Sequence, residues 1–289
     1  MATNFSSVGF DIGSQKEMEA LIVKVTPQSE PVPTYVGGEY LRYATPEGCE
    51  LWAQFSPDKE FVGCNPHFAG SSRFRVQVVG VQAHGAAPLD GQLIAELADY
   101  QTAVPIIINV PDYRQYAARL QTPAEAVVQI TAFAQDLQLF ASFDELSTSG
   151  VAAMASEAMI PTGTMRLEGG KTQSRDPPIP LAYLSGHIRS ADRLQNSLSN
   201  LPFFAMQVKT LGGVIDVVAD VEYVGREPLV DTIVVGSFFL SGRLVSPLPK
   251  PPEPLSAEDQ MFISALRARV AASAKRERTS WWTRLFRRT

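Results

Sequence analysis

Two cysteines and three histidines in 289 residues leave little material for the commonest site chemistries. Cys49 and Cys64 cannot build a disulfide framework. A structural zinc site takes four Cys or His ligands in closely spaced pairs, and Cys64 with His67 is the one close pair among Cys49, Cys64, His67, His84 and His187. Long apolar runs are missing too. The best of them, Ala103 to Val110, falls well short of the roughly 20 residues that a membrane helix needs. The start, MATNFSSVGF, lacks the basic and apolar regions of a signal peptide, so the chain reads as cytoplasmic, with reduced thiols and a stability drawn from burial. There is no Gly-x-Ser-x-Gly elbow, phosphate-binding loop, dinucleotide fingerprint or Cys-x2-Cys pair. No cofactor, metal or catalytic residue is expected, and the chain reads as a binding protein rather than an enzyme.

What is present has ordinary globular proportions: 45% apolar and 19% charged residues, in a chain long enough for about two cores. The net charge of -5 is unevenly spread. Residues 275 to 289, KRERTSWWTRLFRRT, hold six basic residues and one acid, a charge of +5, so the first 274 carry -10. A body this acidic repels phosphate backbones, and no nucleic-acid partner is expected.

Along the chain, Phe5 to Ile12 reads as a strand, and Ser14 with Glu17 opens a helix striped by Met18, Leu21, Ile22 and Val25. A hairpin follows, Tyr40 to Ala44 with Cys49 to Phe55 about a TPEG turn, and "SRFRVQVVGV" alternates as a further strand. Residues 84 to 103 read as a loop with a short helix at Leu93 to Leu97, and "VPIIINV" as a buried strand. Thr122, Pro123 and Glu125 carry helix-start signals, which predict a long packing helix to about Phe143 with Val127, Ile130, Phe133, Ala134, Leu137 and Phe140 inside.

The β-α-β-β-β order of residues 5 to 83 resembles one module of the vicinal-oxygen-chelate superfamily. Metalloenzyme members take His and Glu ligands from their strands, particularly the first and last. Neither Phe5 to Ile12 nor Ser72 to Ala83 contains either residue, so the resemblance implies a fold without the metal chemistry.

Beyond about residue 155 the chain reads as strand-rich. "FFAMQVKTLGGVIDVVADVEYV" folds about Gly212 and Gly213, pairing Val208 with Val217, Met206 with Ala219 and Phe204 with Val221 on an apolar face. Lys209 pairs with Asp216 on the other face, which Asp216, Asp220 and Glu222 make a solvated acidic surface. "LAYLSGHIRSADRL" and "TIVVGSFFLSGRLV" add strands, with Gly236 and Gly242 as candidate bulges, and the segment is similar to an OB-fold in strand count and glycine placement.

The fold class predicted is therefore α+β. Residues 1 to 150 form a mixed domain, 151 to 245 an antiparallel OB-like β-barrel, 246 to 255 (SPLPKPPEPL) a stiff proline-rich linker and 256 to 289 an amphipathic basic helical tail.

In "FVGCNPHFAGSSRF" the residues Cys64 and His67 invite a thiol or metal reading. Neighbours three apart in a loop need not meet, and the plainer reading makes Cys64 a small buried residue and Asn65-Pro66 the start of a turn that carries His67. Asn65, His67 and Arg73 remain candidates for a polar ligand-binding loop, the alternative being an enzyme or small-ligand protein with a site between the N-terminal module and the barrel. In the tail, at 100° per residue, Trp281, Leu285, Trp282 and Phe286 span about 0° to 140° and Arg287, Arg284 and Arg288 about 240° to 340°. Such segregation suits a protein groove or an anionic membrane surface, and the function expected is partner binding, or peripheral membrane contact, through this tail.

Overall fold

The computed structural model describes the chain apart from residues 1–2, 35–36, 85–86, 99–104, 152–154, 165–177 and 246–289. The expected linker and helical tail lie outside the described residues. Strands dominate the rest, in two sheets.

Helix α1 (Gln15–Val25) starts where the capping signal puts it. The Ser14 hydroxyl accepts from the Glu17 amide at 3.3 Å, and the Glu17 carboxylate accepts from the Gly13 amide at 2.8 Å. Its apolar stripe buries Ile22 and Val25. The strand expected at Phe5 to Ile12 does not form. Ser6–Val8 is instead a 3-10 turn ended by Gly9 in the left-handed region at φ 75°, and this removes the first strand of the chelate-superfamily order.

After α1 come β1 (Glu30–Pro33), β2 (Glu39–Ala44), β3 (Cys49–Phe55) and β4 (Phe61–Phe68), an antiparallel sheet in sequence order. The β2–β3 hairpin is the one predicted. The loop expected around Asn65-Pro66 is the body of β4. Pro66 is tolerated because β4 is an edge strand.

The second sheet joins β5 (Phe74–His84), β6 (Ala87–Leu97), β7 (Pro105–Asn109), β8 (Ala124–Phe140), β9 (Ala158–Ile160), β10 (Leu181–Gln195), β11 (Pro202–Thr210), β12 (Gly213–Asp220) and β13 (Ile233–Leu244). A short helix, α2 (Phe143–Thr148), follows β8.

Two of these strands replace predicted helices. β6 buries Leu93, Ala95 and Leu97 in strict alternation, a period of two where a helix was expected. β8 is a 17-residue strand in place of the long packing helix. Its Val128, Ile130, Ala132 and Ala134 enter the main core, while Phe133, of opposite parity, enters the core that includes Ile22 and Val25 of α1. Burial of both faces fills every phase of the pattern, so a helical stripe fits it equally well. The β-branched Val127, Val128, Ile130 and Thr131 were the better signal.

β8 and β13 are the frame. They pair antiparallel from Val128 with Leu244 to Phe140 with Ile233. Through β10, β11 and β12 the pairings return to β8 and close a ring of five strands, the β12 to β8 contact being parallel. β5, β6 and β7 bridge the other ends of β8 and β13. The antiparallel barrel expected within 151 to 245 thus closes only with β8, which lies before residue 150. The expected domain boundary falls between strands of one sheet.

The β11–β12 hairpin turns at Leu211-Gly212, one residue earlier than predicted, which slips the register by two and pairs Val208 with Ile215 and Met206 with Val217. Thr210 sets this turn, its hydroxyl accepting from the Gly212 amide at 3.1 Å and donating to the Gly213 carbonyl at 2.9 Å. A slip of two keeps every side chain on its predicted face. The three acids do not form one solvated face, however: Asp216 is 4% exposed, Asp220 ends β12 with its side chain capping the next 3-10 turn, and Glu222, exposed, lies in that turn. Lys209 pairs with Glu157 at 2.9 Å rather than with Asp216.

Gly236 adjoins a register shift between Ser237 and Phe238, close to its predicted role as a bulge. A Cβ there would lie 1.9 Å from the Asp136 carbonyl oxygen across the β8–β13 ladder. Gly236→Ala should therefore destabilise the protein by about 1–3 kcal/mol. Urea unfolding checks this, with Gly225→Ala as a control, since a Cβ at Gly225 meets nothing within 4 Å.

Candidate functional site

The four-stranded sheet has two unlike faces. Directly paired residues share a face, so Arg42, Trp52 and Asn65 form one row and Glu50 and His67 the next. This face carries the polar cluster and meets β8 and β13. The other, with Leu41, Cys49, Leu51, Ala53 and Cys64, packs in the same core as Ile22 and Val25 of α1.

His67 is fully buried. Its Nδ1 lies 2.9 Å from Ser241 Oγ and its Nε2 2.8 Å from Gln129 Oε1. Burial pushes the imidazole down to about 4, against the pull of Glu50, so the ring is neutral near pH 7. Gln129 Nε2 donates to Thr131 Oγ1 at 2.8 Å and to Asp216 Oδ2 at 3.4 Å, and Thr131 Oγ1 donates to the Phe68 carbonyl at 2.8 Å. Asp216 also accepts from the Ser72 amide at 2.7 Å. The polar chain thus stitches β4 and the loop after it to β8, β12 and β13.

Beside it lies a cluster of two cations and two acids. Glu50 receives Arg42 at 2.5 Å and the Trp52 indole N–H at 2.8 Å, with Arg243 3.6 Å away. Arg243 Nε donates to Asp112 Oδ2 at 3.0 Å, and the guanidinium lies 4.4 Å from the Trp52 ring centre. Tyr116 also donates to Asp112 Oδ2, at 2.7 Å, while Oδ1 of Asp112 is buried without a hydrogen-bond partner. Burial raises the Asp112 carboxyl despite Arg243. At Glu50 burial also pushes upward, but the positive groups around it, His67 when protonated, Arg243 and Arg42, hold it below the usual carboxylate range. Both acids are 1% exposed, so this cluster orders the contact between sheets and offers no carboxylate to a dissolved substrate.

The three candidate ligand residues occupy three environments. His67 is internal, as described. Asn65 donates to Asp90 Oδ1 at 2.9 Å, and Asp90 in turn lies 3.2 Å from His84 Nδ1, a contact that raises the His84 ring above its ordinary value. Arg73 is exposed and donates to the carbonyls of Ser72 at 2.6 Å and Gly70 at 3.2 Å, folded onto its own loop. Cys64 and His67, an odd number of positions apart on one strand, project to opposite faces and do not pair. Burial pushes the Cys64 thiol up to about 12, far from a nucleophile's range. Among the described residues no group of three or more His, Cys, Asp or Glu is placed to hold a metal. No described helix is long and apolar enough to cross a membrane. The tail candidates Trp281, Trp282, Arg284, Leu285, Phe286, Arg287 and Arg288 lie outside the described residues.

Glu50, Asp112, Gln129, Ser241 and Arg243 went unforeseen. The signal available was a lone charged residue within an apolar strand, as Glu50 is in "CELWAQF" and Arg243 in "FFLSGRLV".

The open surface is of another kind. Two apolar grooves flank α1. One, of about 450 Å³, is lined by Ile22, Val23, Leu41, Phe55 and Phe61 with Glu19, Glu39 and Lys59 at its rim. The other, of about 500 Å³, is lined by Phe5, Ile12, Met18, Phe61, Val62 and Cys64 among others. Phe61 walls both, and Val23 and Val62 stand 74% and 50% exposed. Comparisons with protein-family models, curated proteins and solved structures found no match.

Proposed function

We propose that this chain is a binding protein with two contact elements, the apolar surface flanking α1 and the basic aromatic C-terminal segment. The observation that carries the reading is the contrast between the two kinds of site. The acids Glu50 and Asp112 and the His67 ring are sealed between sheets, whereas Val23, Phe61 and Val62 line open grooves. Contiguous apolar surface on a folded protein marks an interaction site. The five-stranded ring, which shares its strand number with OB-type barrels, serves in this reading as rigid support. The tail contributes Trp281, Trp282, Leu285 and Phe286 as anchors and Arg284, Arg287 and Arg288 as charge, a combination suited to a protein partner or an anionic membrane surface.

The test uses three full-length proteins: the natural chain, Val23→Asp with Val62→Asp, and Trp281→Ala with Trp282→Ala and Phe286→Ala. Each is used for capture from native lysate and for sedimentation with phosphatidylserine-containing vesicles. The groove variant should lose a captured protein at least tenfold, and the tail variant should lose a captured protein or the vesicles. Identical capture and sedimentation by all three would overturn the proposal.

A further inference from the structure

Helix α1 carries apolar surface beyond the side it buries. Ile22 and Val25 are in the core, whereas Val23 is 74% exposed, more than any other large apolar side chain among the described residues. The groove of about 450 Å³ lies along this outer side. Its helical wall is Glu19, Ile22, Val23 and Thr26, positions i, i+3, i+4 and i+7, so the groove follows the axis of α1 for two turns, about 10 Å. The sheet wall is one row across three strands, since Glu39 of β2 pairs with Phe55 of β3, and Phe55 with Phe61 of β4. At the usual strand spacing that row also measures about 10 Å.

A trough of two turns beside an exposed helical ridge is a surface into which a second helix packs. In the same length of about 10 Å, three residues of extended chain turn at most two side chains to the floor, whereas two helical turns present three.

The rim of this groove selects by charge. Lys59 is engaged by Glu39 at 2.8 Å, while exposed Glu19 has the neutral Gln15 amide as its partner at 2.9 Å, so the lining carries one negative charge that no cation of the lining matches. The first 274 residues as a whole carry -10. A second copy would bring another acidic body to this rim, and an anionic membrane would meet the same repulsion. We infer that the groove beside α1 takes up an amphipathic helix of a partner protein, with apolar anchors at i, i+3 or i+4 and i+7 and basic residues beside them. This inference rests on the binding reading above and specifies the class of partner.

The experiment selects a display library of alanine-framed peptides on the immobilised full chain, each about 18 residues long so that it is helical in isolation. Enriched sequences should place apolar residues at helical spacing and Lys or Arg beside them. A resynthesised peptide should lose at least tenfold in affinity to Val23→Asp, and about threefold to Glu19→Lys, the effect of an exposed ion pair. Urea midpoints equal to that of the natural chain would show that both variants fold. Replacing the peptide's basic residues by Glu should weaken binding to the natural chain and restore binding to Glu19→Lys, and a central proline in the peptide should abolish binding. A peptide that tolerates the proline would overturn the helical occupant, and enriched sequences without basic residues, or no restoration by charge reversal, would overturn the basic partner. Peptides indifferent to Val23→Asp, or no enrichment, would overturn the inference entirely, and the lysate capture would then decide whether the surface reading falls with it. A dimer of the natural chain in sedimentation velocity that Val23→Asp converts to monomer would assign the groove to a second copy and overturn the inference as well.

Discussion

Arg243→Met should lower the stability of the protein by about 3–5 kcal/mol at neutral pH, the range seen when one partner of a buried ion pair is removed. Methionine retains much of the stem that lies against Trp52 but removes the guanidinium that Asp112 and Glu50 share. The two acids fare differently. Glu50 keeps Arg42 at 2.5 Å and the Trp52 indole at 2.8 Å, whereas Asp112 keeps the Tyr116 hydroxyl but loses its cation. The defect should therefore centre on Asp112, and adding Asp112→Asn should recover about half of the loss, since an uncharged amide costs far less to bury than a lone carboxylate. Urea unfolding of the natural chain, both single variants and the double variant closes a double-mutant cycle. A loss under about 1 kcal/mol, or additive single effects, would show that the pair is screened by solvent instead of sealed.

The second large effect is on pH dependence. His67 titrates at about 4 in the folded chain and near 6.5 when unfolded. Between these values the unfolded chain binds a proton that the folded one refuses, so stability rises with pH across the interval and falls as pH drops through it. The full contribution is about 3 kcal/mol between pH 7 and pH 4. Two groups act against it. Asp112, raised by burial, adds stability on acidification, and so does His84, whose contact with Asp90 raises its ring and whose contribution fades as pH climbs through its folded value. Comparison with His67→Gln isolates the term, because glutamine keeps polar reach toward Ser241 and Gln129 without titrating. Stability profiles from pH 7 to 4 should diverge, the natural chain losing about 3 kcal/mol more. Parallel profiles would mean that the buried ring accepts a proton without penalty.

These predictions depend on residues the sequence does not advertise, and the reason is physical. The Ser14 cap, the hairpin about the TPEG turn and the strand "PIIIN" are local features, each decided by neighbours within a few positions. The parity of the β11–β12 hairpin was legible for the same reason, though its turn was set by Thr210 rather than by the paired glycines. β8 was not legible as a strand, because a strand buried on both faces loses the alternation that identifies it, and helix-start signals at Thr122, Pro123 and Glu125 then prevail. The polar cluster was hidden for a longer-range reason. Its members come from β2, β3, β4, β8, β13 and the loop after β7, and only the crossing of two sheets brings them together. Of the candidates Asn65, His67 and Arg73, sequence proximity said nothing of their destinations, since Asn65 and His67 share a face of β4 but stand in successive rows with different partners, and the turn after Phe68 takes Arg73 elsewhere.

The pairing of β8 with β13 also dictates when the chain can fold during synthesis. β13 ends at Leu244, so β8 leaves the ribosome long before its main antiparallel partner exists. Over that interval β8 has β5 as a partner at its N-terminal end alone, and the apolar stretch beyond Val128 has an unclaimed ladder, the kind of species that misassembles at cellular concentrations. Closure of this ladder across the stretch from Ala141 to Thr232 makes folding a slow, non-local step set by the topology itself.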